Sequence, residues 1–343
     1  MDFLRRILGK PAPEQTQETI SITKEPVEPP RPPEPVIVAP KAEESNHQKV
    51  NTVVVAPTDV TPTVFDTVEL GGTRQLPPLE AIVPKPGQHL RVGHLSDVGM
   101  VRPNNQDSMF CLVGASASHE NLPELGLFVV ADGMGGHHDG EKASSIAARV
   151  VGQYVINEIL LPLMSNQMND PDRPALTEVL RAAVEKANEA VTEQIPEGGT
   201  TTTMAVVLGD LAYFAHVGDS RAYLISNDGI DQITRDHSLV QRLVELDQLT
   251  REEMIDHPQK NVLYRAIGQS DNLDVDTITR RLQPRTRLLL CSDGLWNLVA
   301  DDTIKETVLH EPTPQDACNK LVKLANERGG PDNITVILVQ VPG

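Results

Sequence analysis

The sequence predicts an α+β protein in which the strands and the helices form separate layers. Strand-like runs come in adjacent groups along the chain, and the two longest helical segments are neighbours in sequence. A doubly wound parallel sheet would alternate strand and helix instead. Several of the runs are rich in Val, Ile, Leu and Tyr and are bounded by Gly, Asp or Asn, which is typical of strands.

Eight segments are predicted as strands. Two of them, 204–208 and 212–217, are separated only by Gly209 and Asp210, which is a signal for a hairpin turn. The segment 218–221 also lies between two strands, and its sequence suits a hairpin turn and a turn that carries site residues equally well. In chain order the predicted strands are 90–96, 108–113, 126–131, 204–208, 212–217, 222–225, 287–291 and 334–341.

Helical periodicity dominates two long segments between strands of the first half. In the segment 140–161, apolar residues recur on one face, and the segment 175–194 has the same pattern. Two further helices are predicted at 238–246 and 315–328. Ser238 or Asp236 is suited to cap the first of these two at its N-terminus.

Composition divides the chain into an arm and a domain. Of the 27 prolines, 15 fall before residue 90, and this stretch shows no sustained apolar period. Such a segment cannot bury enough apolar surface to offset the entropy lost on ordering. We therefore predict a disordered Pro-rich arm at 1–88 and one folded domain at 89–343, which is long enough for a sizeable core.

The bulk properties exclude several classes of protein. A net charge of −18 argues against a general affinity for nucleic acid or anionic lipid. The three cysteines are widely spaced without a CxxC pair, which suits a reducing cytoplasm. The sequence has no apolar run of about 18 residues, so no membrane span is expected. It has no recognisable signal peptide either, and we expect a cytoplasmic protein.

Four aspartates in glycine-marked turns carry the chemical signal. Asp132 and Asp293 directly follow apolar strand-like runs, Asp332 leads into one, and Asp107 lies in a similar turn. Carboxylates gathered in one place repel each other unless a cation lies among them, and oxygen ligands suit hard ions such as Mg or Mn. Arg102 is the basic residue close to Asp107, and its fork of N–H donors would suit a phosphate. The pattern indicates a metal-dependent hydrolase.

With these motifs in order, the chain resembles the metal-dependent protein serine/threonine phosphatases of type 2C in their bacterial form. The resemblance covers roughly residues 90–341 and implies a four-layer α-β-β-α sandwich of two antiparallel sheets flanked by helices. The matching strings are RPNNQD at 102–107, VVADGMGGHHDGEKAS at 129–144, GTTTTMAV at 199–206, VGDSRAY at 217–223, TRDHSLVQRLV at 234–244, HPQKNVLYRAIG at 257–268, LLCSDGLW at 289–296 and GPDNITV at 330–336.

The resemblance implies a site with two Mn or Mg ions. Asp132 matches the aspartate that bridges the two metals, and Gly133 matches the glycine whose carbonyl helps to bind one of them. Asp293 and Asp332 match further ligands, and Asp107 matches the aspartate near the second metal.

The same resemblance assigns the phosphate and the reaction. Arg102 matches the phosphate-binding arginine, and Glu141 and Asn333 match supporting positions. The span 236–268 matches a flap beside the cleft. A bridging water activated by the two ions would attack phosphorus in line, so that no Ser or Cys nucleophile is needed. Ser220 has no adjacent base that would activate it.

The chain departs from the family pattern at three places. Met134 occupies the position where eukaryotic members often carry a histidine that acts as general acid, and His137 is the nearby alternative. An aspartate that would hold a third ion is expected shortly before the GTT string, but Glu193 and Glu197 stand there, which leaves a third ion in doubt. Asn297 replaces the last aspartate of the DGLWD string.

The leading hypothesis is a Mn- or Mg-dependent phosphatase that hydrolyses phosphoserine and phosphothreonine on proteins. The implied partners are such phosphoproteins, among them a Ser/Thr protein kinase and its substrates, and we expect a monomer. A non-catalytic phosphatase-like module that binds a phosphoprotein is the alternative. A phosphatase of small phosphate esters also stays open.

Overall fold

The computed structural model describes residues 89–115, 122–135, 139–165, 167–168, 172–250, 253–254 and 257–343. The arm predicted at 1–88 and the candidate His137 lie outside the described residues. The boundary between arm and domain therefore stays a prediction.

The first sheet is antiparallel and has five strands in the spatial order β1-β11-β10-β7-β8. The last strand, β11, lies between β1 and β10, so the C-terminal strand of the domain pairs with its first strand. The strands are β1 (Arg91–Asp97), β7 (Arg221–Ile225), β8 (Ile230–Gln232), β10 (Arg287–Cys291) and β11 (Ile334–Gln340).

The second sheet has six strands, and its main path follows the order β2-β3-β5-β6-β9, again antiparallel. The short strand β4 pairs with the end of β3. The strands are β2 (Asp107–Gly114), β3 (Leu125–Met134), β4 (Gly199–Thr200), β5 (Thr202–Leu208), β6 (Leu211–Val217) and β9 (Asp276–Arg281).

Helices cover the outer faces of the two sheets. The first helix α1 (Asp139–Val155) continues through a π-helical turn (Ile156–Leu160) into α2 (Leu161–Met164). The remaining helices are α3 (Leu176–Gln194), α4 (Leu239–Glu245), α5 (Asp293–Trp296), α6 (Asp301–His310) and α7 (Pro314–Glu327). The two long helices predicted from periodicity and the two further helices predicted at 238–246 and 315–328 are confirmed.

Alternating side chains build the four layers. Along β3, Phe128 and Val130 join a buried cluster between the sheets, whereas Leu127 and Val129 face the core shared with α1 and α3. The first sheet repeats this division, because Ile337 points between the sheets and its neighbours in β11 pack with α6 and α7. The predicted α-β-β-α sandwich is confirmed.

One helical stretch, Asp139–Met164, is long and apolar enough to cross a membrane by length and composition. Its apolar residues Ile146, Val151, Val155 and Ile159 are buried against the second sheet and α3. This burial is what the core helix of a globular domain shows.

The predicted hairpin at 218–221 is wrong. Strand β6 belongs to the second sheet and β7 to the first, so this segment crosses between the sheets. The hairpin at Gly209 and Asp210 is confirmed, since Leu208 pairs directly with Leu211. The sequence interpretation also missed β4, β8, β9, α5 and α6, which are short or have few apolar residues.

Candidate active site

Two of the predicted aspartates lie side by side at one end of the second sheet. Asp107 begins β2 and stands directly opposite Asp132 near the end of β3. Asp107 is buried, with 8% of its surface exposed, and its Oδ2 accepts a hydrogen bond from the Ser292 hydroxyl at 2.7 Å. Because Ser292 follows β10, this bond joins the ends of the two sheets.

Threonines of the predicted GTTTT string hold the backbone of Asp132. The Asp132 N–H donates to Thr201 Oγ1 at 2.9 Å. Its carbonyl accepts from the Thr201 N–H at 2.8 Å and from Thr200 Oγ1 at 2.9 Å. The carboxylate is therefore presented from a backbone that is bonded on both sides.

Gly133 occupies a place with no room for a side chain. A Cβ here would lie 2.1 Å from the carbonyl oxygen of Gly140 and 2.6 Å from that of Gln106. The Gly133 N–H donates to the same Gln106 oxygen at 3.1 Å. The glycine thus allows the end of β3 to pack against the start of α1 and the loop before β2.

The first sheet contributes Asp293 and Asp332. Asp293 begins α5 directly after β10, and its Oδ2 accepts from the Asn297 side chain at 3.2 Å. Asp332 precedes β11, and its Oδ2 accepts from Arg102 Nη2 at 2.7 Å. All four predicted aspartates and the predicted arginine therefore lie where the ends of the sheets meet.

The carboxylates raise each other's pKa values. Burial is the largest cause for Asp132, and the charges of Asp107 and Asp293 add to it, so its pKa lies well above the usual range. The pKa of Asp293 is also raised well above that range, by burial and then by Asp219 and Asp332. Burial raises the pKa of Asp107 to about 6. Such clustered negative charge favours cations.

Asp219 is a fifth member of this acidic cluster, which the sequence interpretation missed. It is 7% exposed, and burial together with the nearby Asp236 raises its pKa to about 7. The segment that crosses between the sheets carries it, and its carbonyl accepts from Trp296 Nε1 at 3.0 Å. The sequence contains a signal that could have identified it. Asp219 follows an apolar strand and a glycine, and Asp132 likewise follows an apolar strand and has a glycine next to it.

The donor set fits hard divalent ions. Every acidic group named above offers oxygen, and the buried Oδ1 of Asp107 has no hydrogen-bond donor among the described residues. No three acid, His or Cys side chains of the described residues converge tightly enough to form a complete metal cage by themselves. Mg and similar ions bind through few carboxylates and keep several waters, so the aspartates can hold such ions without a complete cage.

Comparison with known proteins decides the family. A model of the family described as protein phosphatase 2C matches residues 103–326. The chain belongs to this family. It is 34% identical over 245 residues to the serine/threonine phosphatase Stp of Listeria innocua. This matched region covers 71% of this chain and 93% of the relative.

Solved structures of phosphatase 2C relatives share the fold. The serine/threonine phosphatase of S. agalactiae is 33% identical with a TM-score of 0.63, over 74% of this chain and 100% of that one. The catalytic domain of the phosphatase PstP, solved in complex with two manganese ions, is 34% identical with a TM-score of 0.59, over 74% of this chain and 99% of that one.

Asn333 shapes the loop that carries the arginine of this phosphatase 2C chain. Its Nδ2 donates to the carbonyls of Val98 at 2.8 Å and Asn104 at 3.0 Å. Its Oδ1 accepts from the Gln106 N–H at 2.8 Å. The side chain is buried, so the structure places it as a support for the loop between β1 and β2.

The other candidates include three exposed glutamates and Met134. Glu141 is exposed in the first turn of α1, and Glu193 and Glu197 are exposed near the end of α3. Met134 lies beside the start of β4 and accepts a contact from Gln269 Nε2 at 3.4 Å. The Gln269 side chain is an amide, so this contact does not provide a general acid at the position of Met134.

The flap predicted at 236–268 begins with two buried anchors. Asp236 forms a two-pronged ion pair with Arg221, whose guanidinium also lies 3.6 Å from the centre of the Trp296 ring. Ser238 caps α4, since its hydroxyl accepts from the Gln241 N–H. The predicted cap at Ser238 is confirmed, and Asp236 is an ion-pair partner instead.

Proposed function

We propose that this chain is a Mn- or Mg-dependent protein phosphatase that hydrolyses phosphoserine and phosphothreonine on proteins. The observation that carries the proposal is the acidic cluster at the meeting ends of both sheets, with Arg102 beside it. Relatives from Listeria and Mycobacterium are named serine/threonine phosphatases, and the family is that of protein phosphatase 2C.

The chain's own residues divide the work between metal binding and phosphate binding. Asp107, Asp132, Asp293 and Asp332 would hold two divalent ions, with the Gly133 backbone beside them. When bound, such ions polarise phosphoryl oxygens and lower the pKa of water. Arg102 is 46% exposed at its side chain and donates to Asp332 through Nη2 alone, so its remaining N–H donors would be available to bind phosphate oxygens.

Ser220 and the three cysteines are not activated as nucleophiles. Ser220 is fully buried, and its hydroxyl is bonded to Thr201 Oγ1 at 2.8 Å. Burial raises the pKa of the Cys111 and Cys318 thiols to about 12 and that of Cys291 further. These groups stay protonated, which supports direct attack by water.

Asp219 supports a place for an additional ion. It exerts the largest charge effect on Asp293, ahead of Asp332 and Asp107. This pair would hold a cation at the edge of the cluster without Glu193 or Glu197. Asp219→Asn should weaken the last step of a Mn titration and leave the tighter steps in place.

The finer biology follows the same proposal. Phosphoproteins carrying phosphoserine or phosphothreonine are the substrates, and a Ser/Thr protein kinase and its substrates would be among them. We expect a monomeric cytoplasmic enzyme whose catalytic domain is 89–343. Deletion of 1–88 should then leave the turnover of small substrates intact.

The test is turnover of p-nitrophenyl phosphate and of phosphothreonine peptides with Mn, before and after chelation. Asp132→Ala and Asp293→Ala should abolish both Mn binding and turnover. Asp228→Asn, on the exposed turn between β7 and β8, is the matched control. A protein that binds Mn in calorimetry and still turns over neither substrate would contradict the proposal. A non-catalytic module would show neither turnover of these substrates nor the binding steps in a Mn titration.

A further inference from the structure

Two large apolar side chains stand exposed directly beside the phosphate-binding arginine. Met100 and Val101 are each 68% exposed, the highest values among the large apolar residues of the described chain. They immediately precede Arg102 on the loop between β1 and β2. We call Met100 and Val101 the apolar rim.

The backbone of this loop is held firmly from several directions. The Met100 N–H donates to the Gly330 carbonyl at 2.7 Å, and the Gly99 N–H donates to Asp97 Oδ1 at 2.9 Å. Gly99 has a φ of +79°, which permits the tight turn. The buried Asn333 side chain bonds the Val98 carbonyl. The rim is therefore presented to solvent by a fixed backbone.

The rim is also next to the acidic cluster. A Cβ on Gly99 would lie 2.2 Å from the Asp332 carbonyl oxygen, so the loop packs against the segment that carries this aspartate. Arg102 itself bonds the Asp332 carboxylate. Met100 and Val101 lie within about 7 Å of Arg102 along the backbone, given about 3.5 Å per residue.

This placement defines what can reach the rim. A peptide whose phosphate is bound at Arg102 advances by about 3.5 Å per residue when extended. Side chains one or two positions from the phosphorylated residue are therefore within reach of Met100 and Val101. An apolar flank would cover the rim, and this burial of apolar surface would stabilise the complex.

We propose that the apolar rim is a specificity-determining contact that binds an apolar side chain within two residues of the phosphorylated Ser or Thr. This inference rests on the proposed phosphatase function. It assigns the substrate class as phosphoproteins with Leu, Ile, Val, Met or Phe beside the modified residue.

The experiment compares phosphothreonine peptides whose flanks are either glycine or leucine at each position from −2 to +2. Wild-type enzyme should show a higher kcat/KM for leucine at one or more of these positions. Met100→Gln combined with Val101→Thr should lower kcat/KM for the preferred leucine peptide about 10-fold, the scale of one apolar contact. The glycine-flanked peptide should change less than about twofold.

Met164→Gln is the matched control, because Met164 has nearly the same exposure, 66%, at the end of α2. It should leave all peptides unchanged. Equal losses on leucine and glycine peptides, or no loss on either, would overturn the inference. Wild-type turnover of p-nitrophenyl phosphate with Mn distinguishes a failure of the phosphatase proposal from a failure of the apolar-rim proposal. Its absence contradicts the phosphatase function, whereas its presence without a leucine preference contradicts the rim alone.

A second variant tests the rim by a gain of function. Val101→Lys should turn the preference toward peptides with glutamate at the position that leucine favoured, raising their kcat/KM about 5-fold or more relative to the leucine peptide. Damage to the fold cannot produce such a gain. An unchanged ranking of the glutamate and leucine peptides would count against the rim as a substrate contact.

Discussion

Removal of one negative charge from the acidic cluster should stabilise the metal-free protein. Asp107 is the case to test, because it is 8% exposed and sits opposite Asp132. Burial raises its pKa from 3.8 to about 6, although hydrogen bonds from Thr335 and Ser292 act in the opposite direction. The substitution Asp107→Asn keeps an oxygen for Ser292 and removes the charge.

The magnitude follows from the pKa difference. The Asp107 carboxyl binds its proton more tightly in the folded protein than in the unfolded chain. Its contribution to the free energy of unfolding is therefore fully present below about pH 3.8 and is lost as the pH rises through about 6. Near pH 7.5 the ionised carboxylate thus destabilises the fold by on the order of 3 kcal/mol. Asparagine avoids this loss, and for a domain of this size the melting temperature should rise by about 6–12 °C.

The assay is thermal unfolding in excess chelator, with Asp228→Asn as the exposed control. The control should change the free energy of unfolding by less than about 0.5 kcal/mol. In saturating Mn the order should reverse, because the wild type gains binding free energy that the variant loses. If Asp107→Asn in chelator melts at or below the wild-type temperature, the buried Asp107 carboxylate does not destabilise the metal-free fold as the structure indicates.

Three further changes test other parts of the fold. Gly133→Ala should lower the free energy of unfolding by several kcal/mol, measured by denaturant titration, because its Cβ would meet the Gly140 carbonyl at 2.1 Å. Asp236→Asn should destabilise by about 3–5 kcal/mol in the same assay, since it leaves the Arg221 charge buried without its partner. Burial lowers the pKa of His216 to about 3, so its contribution to stability is present above about pH 6.5 and is lost as the pH falls toward 3. His216→Gln should therefore flatten the acid side of the stability profile, and an unchanged profile would exclude His216 as its source.

Long apolar segments made most of the fold predictable. Strands β3, β5 and β6 are buried over most of their length, so their runs of Val, Leu and Ala stand out in the sequence. Strand β9 was missed because its residues Asp276–Arg281 are half-buried or exposed and include three charged residues. The helix α6 was missed for a similar reason, because only Ile304, Thr307 and Val308 are buried.

The candidate site shows where local sequence stops being informative. Four aspartates could be identified because each adjoins an apolar run, and three of them, Asp132, Asp293 and Asp332, also lie within two residues of a glycine. Asp219 has the same neighbours, but a glycine-aspartate pair between two strands also suits a hairpin. Only the pairing of β7 with β10, more than sixty residues along the chain, shows that the segment crosses between sheets. That long-range pairing brings Asp219 to Asp293.

The start of the flap fixes Asp219 from both sides. The Gly218 N–H donates to His237 Nδ1 at 3.1 Å, and the Gly218 carbonyl accepts from the His237 N–H at 2.7 Å. On the other side of Asp219, Arg221 is paired with the buried Asp236. Both His237 and Asp236 precede α4, so the rest of the flap can differ in sequence or position without moving the Asp219 carboxylate. The fold thereby separates the acidic cluster, which needs fixed geometry, from the flap surface that a protein substrate would meet.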